Sequence, residues 1–131
     1  MKLTPAYKDY LWGGNELSKM YGKESGLSVT AESWELCCHP DGQNKVANGQ
    51  YKGRMLADVL RENPHYVSSR FHAEDRFPVL IKFIDAAKAL SIQVHPSDET
   101  ALKELGEEGK AEMWYICLLY TSPSPRDPKT S

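Results

Sequence analysis

Hydrophobic positions along the chain switch between helical and strand spacing. Leu17 and Met20, three apart, predict a short helix with both on its buried face, preceded by a loop from Tyr7 and a turn at Trp12-Gly13-Gly14-Asn15. Ala31 to Cys38 has strand character and stops at His39-Pro40-Asp41-Gly42, where proline removes a ladder donor and Asp-Gly favours a tight turn. Val46 to Gly49 predicts a further short strand and turn. Leu56, Val59 and Leu60 fall on one side of a helix that Asn63-Pro64 ends. His65 to Arg76 is polar and irregular, a surface loop. Pro78 to Ile84 follows as a strand whose run Val79-Leu80-Ile81 is apolar on both faces, as in a central strand, with Lys82 interrupting it. Leu90 to His95 is the next strand. After Pro96, Ser97 caps a helix that carries Asp98 and Glu99 in its first turn and that Gly106 closes, and Glu112 to Leu119 is the last strand.

Short strands with two or three helices, without a repeat or a heptad pattern, predict an all-β core with helical decoration. At 131 residues, 40% hydrophobic and 26% charged, the chain is long enough to bury such a core. Its net charge of -2 offers no basic surplus for nucleic acid, and no apolar run suggests a membrane segment or a signal core, so a cytoplasmic protein is expected. Cys37, Cys38 and Cys117 form no CxxC pair, which argues against a thiolate zinc site or a disulfide framework. Cys37 and Cys38 face opposite ways on a strand and are read as packing residues. Trp12, Trp34 and Trp114 are read as core aromatics.

The segment Leu90-Ser91-Ile92-Gln93-Val94-His95-Pro96 carries the candidate chemistry. On a strand, Ser91, Gln93 and His95 project to one face, and Lys110 and Glu112 share a face on the strand that follows. Imidazole and carboxylate brought together are ligands for a divalent ion such as Zn²⁺, and Gln93 is a weaker ligand through its amide oxygen. Lys82 or Lys110 would balance an anionic intermediate or a phosphate. Each residue also has a plainer reading. A histidine beside proline is commonly a hydrogen-bonded surface residue, and a strand lysine commonly extends its charged end to water at an edge. His39 is the other histidine that a metal would find, although a turn role also accounts for it; His65 and His72 are read as solvent-facing.

Leu11-Trp12-Gly13-Gly14-Asn15, Glu32-Ser33-Trp34-Glu35-Leu36, His39-Pro40-Asp41-Gly42, Leu80-Ile81-Lys82-Phe83-Ile84-Asp85-Ala86, Leu90 to Pro96 and Glu112-Met113-Trp114-Tyr115 occur in an order that resembles the type I mannose-6-phosphate isomerases of the cupin superfamily. The resemblance covers about Tyr7 to Ile116. It implies a mainly β, incomplete cupin-like jelly roll with a few short helices, and zinc-dependent interconversion of mannose 6-phosphate and fructose 6-phosphate through a cis-enediol. By the same resemblance His95 and Glu112 match zinc ligands, Gln93 matches a position that ligates zinc in some members, and Ser91, Lys82 and Lys110 match substrate-lining positions. The full-length protein is expected to be a monomer. A histidine ligand and an arginine of the family lie on strands beyond this sequence, so the chain is expected to be part of a longer protein, inactive by itself and a weak zinc binder. A non-catalytic cupin-like sugar or metal binding module is the alternative. From Cys117 the family pattern stops, and Leu118-Leu119-Tyr120 through Asp127 resembles a translated library adapter. Residues 1–116 are therefore read as the domain part and 117–131 as an unstructured non-native tail.

Overall fold

The computed structural model describes residues 1–93, 95–104 and 109–117. The chain divides into two compact units, Met1–Ser91 and the part from Ile92 onward.

The first unit is built on short antiparallel strands. β1 (Leu3–Thr4) pairs with β4 (Lys45–Val46), Leu3 opposite Val46. β2 (Ala6–Lys8), β3 (Glu32–Leu36) and β5 (Ile81–Ile84) form a second sheet in the order β2-β3-β5. Trp34 lies opposite Ala6 on one side and Lys82 on the other. The expected loop from Tyr7 is therefore a strand at its start: Tyr7 pairs with Ser33, in a stretch too short for alternation to reveal. Between the strands lie α1 (Glu16–Tyr21), which Gly22 terminates at φ 60, and α2 (Leu56–Glu62). Leu56, Val59 and Leu60 are buried together, as their spacing predicts. In α1 only Leu17 is buried, while Met20 is 52% exposed. A helix of six residues offers less than two turns to the core, so one apolar position takes the contact. His39-Pro40-Asp41-Gly42 forms the expected tight turn, here a single 3-10 turn over Pro40–Gly42.

β3, rather than β5, is the central strand. β5 lies at the sheet edge among the described residues, and its side chains alternate: Lys82 and Ile84 are half-buried, while Ile81 and Phe83 are 49% and 45% exposed. The expectation of a strand buried on both faces over Pro78–Ile84 is thus corrected in place and in length. Lys82 does not break the inward pattern at random. Its Nζ is 2.8 Å from Oε1 of buried Glu32, whose other oxygen accepts from Trp34 Nε1 at 2.6 Å. A buried carboxylate is tolerable only with partners of this kind.

Close approaches and one buried amide join these parts. A Cβ on Gly13 would stand 2.4 Å from the Ala31 Cβ, and one on Gly42 would stand 2.4 Å from the Trp34 ring, so both positions take residues without side chains. Gly13 and Gly14 are strapped to the end of β5, where Gly14 N donates to Asp85 O and the Asp85 carboxylate accepts from Glu16 N at the start of α1. Fully buried Asn44 accepts from Cys37 N at 2.6 Å, donates to Trp34 O at 2.8 Å and to Thr4 O at 3.2 Å, and its own carbonyl accepts from Leu56 N. One side chain thereby serves β1, the end of β3 and the start of α2. Cys37 is buried and Cys38 half-buried, in keeping with their reading as packing residues.

In the second unit, α3 (Asp98–Glu104) is the regular element among the described residues. The Ser97 hydroxyl accepts from Thr100 N at 3.4 Å and caps it as expected, with Asp98 and Glu99 in its first turn. Gly106, read as its stop, lies outside the described residues, as do Val94 and residues 118–131 of the tail. The strands expected over Leu90–His95 and Glu112–Leu119 are not found among the described residues. Alternation marks a segment suited to a sheet, but a strand exists only where a neighbour completes its hydrogen bonds. Trp34 is in the core and Trp12 half-buried, whereas Trp114 is 50% exposed and is not the core aromatic expected. No helix among the described residues is long and apolar enough to cross a membrane.

Candidate metal centre

His95 and Glu112, seventeen positions apart, meet within the second unit: Nε2 of the imidazole lies 2.9 Å from Oε2 of the carboxylate. Their side chains are 29% and 21% exposed, so the pair is shielded but reachable. Lys110 Nζ lies 2.7 Å from the other carboxylate oxygen, and Trp114 Nε1 donates to Oε2 at 3.2 Å. The alternate positions 110, 112 and 114 thus act on one point without a strand to impose it. The hydrogen bond from Lys110 is the largest influence on Glu112. With lesser help from Trp114 and His95, and against the cost of burial, it holds the carboxyl down to about 2. The carboxylate is therefore ionised at any physiological pH, which is the state a metal ligand must have.

Two donors of one tetrahedral zinc ion, each at its usual bond length, stand roughly 3.3 Å apart. The His95–Glu112 pair is a few tenths of an ångström tighter than that, as a direct hydrogen bond requires, and both atoms are ordinary zinc ligands. The residues fit two positions of such a site. Among the described residues no group of three or more His, Cys, Asp or Glu side chains is placed to hold a metal. Gln93 is exposed, in the irregular segment before Val94.

The remaining residues singled out in the sequence are distributed as follows. Lys82 belongs to the first unit and is engaged with Glu32, and exposed Ser91 ends that unit. Lys110 is on Glu112. His39 accepts from Asp41 N through Nδ1 at 3.2 Å and meets the Trp34 ring edge-on, so it is a turn residue. His65 and His72 are exposed as expected. Sequence reasoning missed Glu32 and Trp114 as partners. A lysine in an apolar strand was the available signal for a buried carboxylate, and the two-residue spacing of Glu112 and Trp114 was the signal for the indole.

Residues 1–117 match the family described as phosphomannose isomerase type I, catalytic domain. The chain is 42% identical over 113 residues to mannose-6-phosphate isomerase ManA of Bacillus subtilis, covering 86% of this chain and 35% of that one. It is 40% identical over 106 residues to the mannose-6-phosphate isomerase of Streptococcus mutans, covering 81% and 33%. A crystal structure of the mannose 6-phosphate isomerase from Bacillus subtilis superposes with a TM-score of 0.72 at 40% identity, over 82% of this chain and 34% of that one. The expected fold class, an incomplete β architecture with a few short helices, is the one that this likeness carries. The chain spans about a third of the length of the curated relatives it matches. Its match to the family model extends over nearly the whole sequence, and the chain belongs to the phosphomannose isomerase type I family.

Proposed function

We propose that this chain is part of a metal-dependent aldose-ketose isomerase that interconverts mannose 6-phosphate and fructose 6-phosphate. The observation that carries the reading is the His95–Glu112 donor pair, in a chain of this family. The exchange moves one proton between C1 and C2 through a cis-enediol, and its difficulty is the negative charge on the sugar oxygens once the proton has left. Zinc, when bound, polarises the carbonyl and offsets that charge. His95 Nε2 and Glu112 Oε2 hold it, with the amide oxygen of Gln93 as a further donor. The Lys110 ammonium keeps Glu112 ionised and also adds positive charge beside the carboxylate. Ser91, Lys82 and Lys110 are the proposed contacts to the sugar phosphate. Cytoplasmic operation fits three cysteines outside any disulfide.

The test is a chimera in which residues 1–117 replace the matching part of Bacillus subtilis ManA, assayed for fructose 6-phosphate formed from mannose 6-phosphate. Turnover that His95→Ala lowers at least a hundredfold is expected. A folded chimera that binds mannose 6-phosphate without turning it over would contradict the reading and favour a binding module.

A further inference from the structure

β5 has the composition of an interior strand and the position of an outer one. Val79, Leu80, Ile81 and Phe83 are each between 41% and 49% exposed, and β3 is the neighbour of β5 among the described residues. Edge strands ordinarily carry charge, proline or a bulge on their open side, because an apolar open edge recruits other strands. Here the charge, Lys82, points inward to Glu32, and the outward alternation Ile81, Phe83 is apolar. Such a strand is suited to a neighbour on both edges and to cover on its outer face. The relatives supply the identity of that cover: with 35% of Bacillus subtilis ManA matched, about two thirds of its length lies outside the match.

We propose that the apolar side of β5 is a docking surface for the complementary part of a phosphomannose isomerase type I chain, joined in trans as a separate polypeptide. The partner adds an extended segment along Ile81–Ile84 and apolar side chains over Val79, Ile81 and Phe83. Recognition is β-augmentation: main-chain bonds give register, and alternate apolar side chains give affinity. A second copy of this chain is the competing occupant.

The experiment co-expresses the tagged 131-residue chain with the part of Bacillus subtilis ManA outside the match, and reads co-purification and amide exchange. One-to-one co-purification is expected, with exchange at Ile81–Ile84 slowed at least tenfold relative to the chain alone. Ile81→Glu, at an exposed position that leaves the fold of the unit intact by circular dichroism, is expected to reduce co-purification at least tenfold. A complement that is not retained or stays insoluble beside the chain overturns the proposal. So does retention without protection of Ile81–Ile84, or a chain whose β5 amides are already protected in a homodimer.

Discussion

Asn44 illustrates how much one buried polar side chain can determine. Its amide bonds three backbone groups that belong to different stretches of chain, and each would be left buried without a partner if the amide were removed. Unmade buried bonds cost about 1–3 kcal/mol apiece. Asn44→Ala is therefore expected to lower the stability of the chain by at least about 3 kcal/mol, read as a shift of the urea midpoint with an unchanged slope. The cysteines give a second residue-scale prediction. Burial, reinforced by adjacent Cys37, pushes the Cys38 thiol up to about 11, and burial also raises Cys37. Thiolate is the reactive form, so alkylation of both in the folded chain is expected to be slow at pH 8 and to accelerate at Cys38 toward pH 11, while exposed Cys117 reacts first. Peptide mapping after timed iodoacetamide treatment checks this; equal labelling at all three would contradict it. His95 and Glu112 were legible as a pair because donor chemistry and family order both single them out. Lys82 was only half legible, since its partner Glu32 lies fifty positions away and no local pattern joins them.

The elements differ in how well their spacing announced them. α2 and α3 follow from periodicity and caps that lie within a few residues of one another. β1, β2 and β4 are two or three residues long, which is shorter than the alternation that would reveal them. The placement of β5 depended on which strands pair, a long-range matter that apolar content does not settle. Two predictions belong here. Gly42→Ala drives a methyl into the Trp34 ring beside the turn, and overpacking of this kind costs about 1–3 kcal/mol. The β3-β5 tie is tested by Lys82→Met, which leaves Glu32 with the indole as its remaining partner and is expected to cost about 3 kcal/mol. Adding Glu32→Gln should recover part of that loss. An unchanged midpoint for Lys82→Met would show that the ion pair does not hold β5 to β3.

At the scale of the whole molecule, the chain brings two metal donors together where a catalytic zinc site takes three protein ligands and an open position. The 131-residue chain alone is accordingly expected to give no measurable turnover of mannose 6-phosphate in a coupled assay. The cupin-like architecture was legible through a series of short motifs, while the strands expected around the donor pair were not found, because a sheet register is completed by neighbours rather than by the segment itself. The pairing of His95 with Glu112 does not depend on those strands, and it is the part of the account most open to direct measurement. That measurement is equilibrium dialysis of Zn²⁺ against the chimera carrying residues 1–117, in comparison with its His95→Ala and Glu112→Gln variants. One equivalent of zinc is predicted, bound at least tenfold more weakly when either residue is replaced, whereas zinc affinity unchanged in both variants would contradict the assignment of this pair as the metal centre.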